Sequence, residues 1–217
     1  MMNALPPVCL LKNECDGEPK RVLITGFGPF KGVPYNLSWG GVASMDDRKF
    51  EVENNIIILR KKIGVRYCEV DCKIPKLWRR FQPELAIHVG VHPTATTFLL
   101  ETNARKGGYF NPDIKQRTPR SYEAKSGDSP QKTTTFNVKT ICELFNEYPP
   151  APKLKAKVSH DAGQYLCEYI YYTSLCRGPA LFVHIPQHKY TAEEVALGLQ
   201  RILELCLINQ LSDEIMV

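Results

Sequence analysis

Short apolar runs alternate along the chain with stretches whose apolar residues recur every three or four positions. Arg21-Val-Leu-Ile-Thr25 is an apolar run closed by Gly26-Phe-Gly-Pro-Phe30, the pattern of a buried strand feeding a loop. Asn36 or Ser38 is placed to cap a helix through about Met45. The β-branched run Ile56–Ile63 predicts a strand. Within 70–81, Val70, Ile74, Leu77 and Trp78 have helical spacing, and Pro75 puts the start of that helix in doubt. Residues 84–90 predict another buried strand, and 98–103 a further short one. Helical spacing returns over 137–147, followed by a strand edge at 156–159 and a helix over 161–176 with Asp161 as its N-cap. Residues 180–185 form the last predicted strand. Thr191 opens the last helix, with Glu193 and Glu194 in its first turn and Val195, Leu199, Ile202, Leu203 and Cys206 along one side. Strands that alternate with helices predict a mixed α/β sheet covered on both faces.

The pattern fails in two places. Residues 1–19 are polar and punctuated by Pro6-Pro7 and Gly17, which reads as a flexible leader ahead of one domain over 20–217. From 105 to 135, Gly107-Gly108, Pro112, Pro119 and Pro130 fall among charged residues. So long a loop inside one domain implies function or mobility. The 43% hydrophobic and 24% charged residues are globular values and exclude a disordered or coiled-coil chain. The longest aliphatic run, Ile56-Ile57-Ile58-Leu59, is far short of the roughly 20 residues that span a bilayer. The first residues lack the basic start and sustained apolar stretch of a signal peptide. A cytoplasmic protein with no membrane partner is expected.

The net charge of +5 is spread in short groups such as Arg60-Lys61-Lys62 and Arg79-Arg80, without interleaved aromatics, so no nucleic-acid partner is expected. Eight cysteines without a signal peptide read as reduced thiols. Cys68/Cys72, His88/His92 and His184/His188 are each four apart, but no CxxC pair occurs and Pro186 interrupts the last. No metal is expected.

Three places could carry chemistry. In Ser159-His-Asp-Ala-Gly-Gln-Tyr-Leu-Cys167 a predicted strand runs through a Ser/Asp/Gly turn into a helix with a cysteine near its start. Free backbone N–H groups and the positive dipole end there favour a thiolate and can hold an oxyanion. The plain alternative is a buried apolar cysteine. His184 ends Leu181-Phe-Val-His-Ile-Pro186, where active-site loops of α/β sheets emerge, or it is a satisfied histidine beside the core. His160, His88 and His92 have weaker claims: one lies in the turn, one inside a strand, one after it. Glu101 is a single carboxylate among apolar residues, which needs a partner if buried and is ordinary if in water. Cysteine, histidine and carboxylate together are the composition of a thiol acyl-transfer site.

These segments resemble the pyroglutamyl peptidase I family of cysteine peptidases. The resemblance runs from about 20 to about 207. Its most specific part is Ser159-x-x-Ala-Gly-x-Tyr-x-Cys167, supported by Thr25-Gly-Phe-Gly-Pro-Phe30, Asn36-Leu-Ser-Trp39 and Phe182-Val-His-Ile-Pro186. The resemblance implies a single-domain three-layer α/β/α sandwich around a twisted mixed sheet. It implies Cys167 as nucleophile, His184 as general base and acid, Glu101 as the group orienting the imidazole, and no cofactor. It implies a pocket for pyroglutamate lined by Phe27, Phe30, Asn36, Tyr165 and Leu166, although Phe27 and Phe30 taken alone read as core. The implied activity removes N-terminal pyroglutamate from peptides. The implied state, on the animal pattern, is a monomer. The chain departs from the family at Leu99 and Thr102 beside Glu101, at Asn111 in the long loop and at Val91 after Gly90. Those departures leave two alternatives: a catalytically weak or silent binder of blocked N-termini, or a thiol amidohydrolase of changed specificity.

Overall fold

Apolar runs of four to six residues can be buried on both sides only if both faces of their sheet are covered, and the chain provides the helices to do so. A computed structural model describes residues 17–30, 32–45 and 47–215. The strands are β1 (Lys20–Phe27), β2 (Ile56–Ile63), β3 (Leu85–His92), β4 (Phe98–Glu101), β5 (Asn103–Arg105), β6 (Gln131–Thr133), β7 (Ala156–Ser159) and β8 (Ala180–Pro186). The α-helices are α1 (Leu37–Ala43), α2 (Asp47–Asn54), α3 (Tyr67–Phe81), α4 (Val138–Glu147), α5 (Leu166–Leu175) and α6 (Ala192–Ile215). Six strands form one sheet in the order β2-β1-β3-β8-β4-β7, and β5 pairs with β6 separately. β2, β1, β3 and β8 are parallel, β4 is antiparallel to β8, and β7 is parallel to β4. The sheet is mixed, as the sequence predicts.

Alternation along each strand divides the core in two. Val22, Ile24, Ile87, Val89, Leu181, Val183 and Ile185 pack with residues of α1, α4 and α6. Leu23, Phe27, Ala86, Ala180 and Phe182 pack on the other face with Val70 and Ile74 of α3 and with Tyr169 to Tyr172 of α5. Three layers result, an α/β/α sandwich.

Caps decide several boundaries. Asn36 accepts a hydrogen bond from Ser38 N and starts α1. Thr191 and Glu194 exchange side-chain-to-backbone hydrogen bonds, a capping box at the start of α6. α3 begins at Tyr67, earlier than the spacing suggests, and Pro75 lies inside it. Arg66 supplies no side-chain cap, but the buried Asp113 carboxylate accepts from Tyr67 N at 3.2 Å across the fold. The predicted helix over 161–176 starts only at Leu166. Gly163 takes φ +76° and Tyr165 is extended, so 161–165 form a turn, and Asp161 is turned toward Arg105 instead of capping.

The predicted single strand over 98–103 is two. It breaks at Thr102, whose backbone N–H and hydroxyl both donate to Ser159 O, and then enters the β5–β6 pair. The sequence pattern does not predict α2. The 105–135 segment is not a bare loop. Asp113 also accepts from Lys115 N and Arg117 N, Tyr67 hydroxyl donates to Asn111 O, and Gly108 and Tyr109 N–H groups share Tyr122 O. Backbone and side-chain hydrogen bonds fix it where apolar periodicity is absent. Most of the expected leader, 1–16, lies outside the described residues. Among the described residues no helix is long and apolar enough to cross a membrane.

Candidate active site

The face of the sheet covered by α3 and α5 collects the chemistry. On β8, Phe182 and His184 point to this face; on β4, Leu99 and Glu101 do. Antiparallel pairing sets Leu99 opposite His184 and Glu101 opposite Phe182. Glu101 and His184 are therefore diagonal neighbours, a separation side chains can bridge. His184 Nδ1 lies 2.8 Å from Glu101 Oε1, with the carboxylate fully buried and the imidazole 4% exposed. The nitrogen facing a carboxylate carries the proton, so Nε2 is left to the other side. Of the two readings of Glu101, a strand-end carboxylate in water is excluded.

Cys167 reaches the same place from α5. It lies one residue inside the helix, and Tyr165 before it gives no side-chain cap, so the N–H groups of the first turn have no intrahelical acceptor. A Cβ on Gly90 of β3 would come 2.8 Å from Cys167 Sγ and 2.8 Å from Phe182 Cζ. Only glycine leaves that space to the sulfur. His184 feels three influences. Burial opposes its charge, whereas the negative charge and hydrogen bond of Cys167, and then those of Glu101, favour it and raise its pKa to about 9. The geometry sets an imidazole between a cysteine sulfur and a carboxylate, the arrangement a thiol acyl-transfer site requires.

The turn before Cys167 is held from outside. Arg105 of β5 donates through its backbone N–H and Nε to Glu168 Oε1, at 3.0 and 2.9 Å, and its guanidinium also pairs with Asp161. Asp161 accepts from Gly163 N. Glu168 follows Cys167 directly; burial raises its pKa and Arg105 opposes that rise.

Beside Cys167 opens a cavity of about 190 Å³ lined by Phe27, Phe30, Asn36, Val65, Val91, Pro93, Tyr165, Leu166 and Cys167. All five pocket residues named from sequence line it, and Phe27 and Phe30 are walls rather than core alone. Asn36 Nδ2 donates to Gly28 O, and Oδ1 accepts from Ser38 N and Oγ, which leaves one amide N–H free of those bonds. Tyr165 hydroxyl donates to Pro112 O, which ties the long loop to the pocket wall. Of the departures, Val91 lines the pocket and Leu99 lies opposite His184. Thr102 hydroxyl lies 2.7 Å from His160 Nδ1, and Asn111 is exposed.

Sequence reasoning missed Val65, Pro93, Gly90 and Arg105. Val65 and Pro93 follow the carboxyl ends of β2 and β3, and the rule that α/β sites gather at carboxyl ends could have found them. His88, an inner-strand candidate, is wholly buried between Thr25 Oγ1 at 2.7 Å and Ser174 Oγ at 2.6 Å. Burial lowers its pKa to about 3. It belongs to the core. His92 sits beside His184, with ring centroids 5.2 Å apart. Among the described residues no group of three His, Cys, Asp or Glu side chains could hold a metal, and the six cysteines there are free thiols.

Comparison with known proteins agrees with this geometry. A family model described as pyroglutamyl peptidase matches residues 20–191. The chain is 33% identical over 190 residues to pyroglutamyl-peptidase 1 of Rattus norvegicus, covering 85% of this chain and 88% of the relative. It is 28% identical over 176 residues to pyrrolidone-carboxylate peptidase of Thermococcus onnurineus, covering 76% and 83%. Among solved structures, pyrrolidone carboxyl peptidase from Thermococcus litoralis superposes with a TM-score of 0.78 at 20% identity, covering 89% of this chain and 96% of that one. Pyroglutamyl peptidase I from Bacillus amyloliquefaciens gives 0.75 at 21%, covering 87% and 97%. At these identities the structures show a shared fold.

Proposed function

The chain belongs to the pyroglutamyl peptidase family, and from that premise we propose that it is a cysteine peptidase that removes N-terminal pyroglutamate from peptides, with Cys167, His184 and Glu101 as its catalytic group. The observation that carries the reading is the continuity of three groups: Glu101 at 2.8 Å from His184 Nδ1, Cys167 Sγ packed over Gly90, the residue paired opposite His184, and Cys167 on the wall of a small apolar cavity.

Pyroglutamate is a neutral five-membered lactam without a free amine. A cavity of about 190 Å³, below the roughly 300–1,000 Å³ of drug-sized sites, suits one such ring. Aromatic and aliphatic walls take its carbons, and the spare N–H of Asn36 is a donor for its carbonyl. A charged, open glutamyl or lysyl residue would lose its solvation there without a partner.

Cys167 thiolate attacks the carbonyl carbon that joins pyroglutamate to the next residue. The oxyanion forms at the first turn of α5, where the Leu166 and Cys167 N–H groups can meet it. His184 gives its Nε2 proton to the leaving amine, and the shortened peptide departs. Neutral His184 then takes a proton from water, which attacks the thioester. Collapse releases pyroglutamate and restores the charge pair. Glu101 accepts from Nδ1 throughout and fixes the tautomer. The proton balance closes on these three side chains. A cytosolic setting keeps the thiol reduced, as this chemistry requires.

The test is release of a fluorophore from a pyroglutamyl amide under reducing conditions, with Cys167→Ala alongside. Turnover lost by about 10⁴-fold or more in the variant is expected. Full activity in Cys167→Ala would refute the assignment. Equal cleavage of an unblocked glutamyl amide would refute the specificity.

A further inference from the structure

Two rings flank the His184 imidazole. Phe182, two residues earlier on the same face of β8, has its centroid 4.7 Å away at 56°. His92, the last residue of β3, has its centroid 5.2 Å away at 77°, edge to face. β3 and β8 pair with Gly90 opposite His184 and His92 opposite Pro186. His92 therefore lies on the face that carries His184, one diagonal step nearer the carboxyl edge. The space next to His184 is divided between two occupants: the sulfur of Cys167 over Gly90, and the His92 ring beyond it. Its Nδ1 meets Thr94 only through two 3.4 Å contacts within its own turn. Such long contacts hold a ring weakly, and packing against His184 is the stronger restraint.

We propose that His92 is a positioning residue for the catalytic imidazole. With Phe182 it confines the His184 ring to the orientation that turns Nδ1 to Glu101 and Nε2 to Cys167. The inference rests on the peptidase reading above and extends it, because no step of that reaction uses His92.

The ring acts in its neutral form. The groups that face it are His184 from β8, Glu101 from β4 and Asp161 from the turn before α5, with uncharged Thr94 on its own turn. Burial and then the positive charge of His184 lower its pKa, and Glu101 and Asp161 oppose that shift. Protonation in acid sets a second cation beside His184 that competes for Glu101. Turnover then gains an acid limb below the ordinary histidine value of about 6.5.

The experiment compares kcat and KM against pH for the parent, His92→Ala and His92→Phe, with melting temperatures to verify folding. His92→Ala is expected to lose about three- to tenfold in kcat, the worth of one aromatic contact, with KM within twofold. His92→Phe restores kcat to within twofold of the parent, and its acid limb moves to lower pH. Alkylation of Cys167 by iodoacetamide against pH reads the same positioning without turnover. In His92→Ala the profile departs from the parent's, and in His92→Phe it keeps the parent's form. An unchanged kcat in His92→Ala, a loss confined to KM, or equal damage in both variants would overturn the inference. A parent that is alkylated at Cys167 yet cleaves no pyroglutamyl amide would refute the peptidase reading, while the alkylation profiles would still decide the role of His92.

Discussion

His88 and His184 occupy neighbouring strands of one sheet, point to the same face, and are 0% and 4% exposed. Burial nevertheless leaves them in opposite states. His88 meets two hydroxyl groups, Thr25 and Ser174, which can donate or accept as required but carry no charge. Desolvation is unopposed, and the ring stays neutral down to about pH 3. His184 meets a carboxylate and a cysteine sulfur, and their negative charge outweighs the same desolvation and lifts its pKa to about 9. The depth of a histidine says little about its charge. What stands at its two nitrogens decides it.

The largest effect comes from removing that difference. Glu101→Gln keeps the shape and takes away the charge that orients His184. A loss of about 10³- to 10⁴-fold in kcat is expected, with the alkaline limb of the pH–rate profile moving down from about 9. A profile that keeps its alkaline limb would show that Glu101 does not set the charge of His184.

Gly90→Ala attacks the geometry instead. The added Cβ displaces Cys167 Sγ or the buried Phe182 ring, each 2.8 Å away. A misplaced nucleophile costs about 10²-fold in kcat, and the forced packing about 1–3 kcal/mol of stability. Parent-like kinetics and melting would contradict the close packing described for this site.

The two histidines also predict opposite pH dependences of stability. His88 has a depressed pKa, so in acid the unfolded chain binds a proton that the folded one refuses. Its contribution is full above about pH 6.5 and is lost as pH falls toward 3. The slope is at most about 1.4 kcal/mol per pH unit. His184 has a raised pKa, so its contribution is full below about 6.5 and is lost as pH rises through about 9. Denaturant melts against pH should show His88→Gln flattening the acid side and His184→Gln the alkaline side. The reverse assignment would break the comparison.

The smallest expected effect is that of Ser174→Ala. The serine hydroxyl serves both His88 Nε2 and Trp78 Nε1, the latter at 3.0 Å. Its loss should cost about 1–3 kcal/mol of stability and leave kcat within twofold, because His88 takes no part in the chemistry.

This contrast also marks what the sequence could disclose. The apolar runs of β1, β3 and β8 are visible, because central strands buried on both sides must be apolar nearly throughout. The start of α5 is not, because Asp161 has the composition of an N-cap but is drawn to Arg105 across the fold. The order of 105–135 is not legible either. It rests on Asp113 reaching back to α3 and on tyrosine hydroxyl groups bonding backbone carbonyls, contacts without a period. Cys167 and His184 stand out by position at the edges of their elements. The burial of Glu101 depends on the antiparallel register of β4 with β8, which no local pattern encodes. His88 and His92 are four residues apart on one strand, yet one is core and the other packs against the His184 ring. Only the partners supplied by α5 and β8 separate them.

The most direct measurement is a nitrogen NMR titration of the histidine rings in the reduced protein, with His184 assigned by its loss in His184→Gln. The account predicts that His184 is charged at neutral pH, titrates near 9, and falls below 6.5 when Glu101→Gln and Cys167→Ala are combined, while His88 stays neutral throughout the folded range. A His184 that is neutral at pH 7 in the parent would contradict the account.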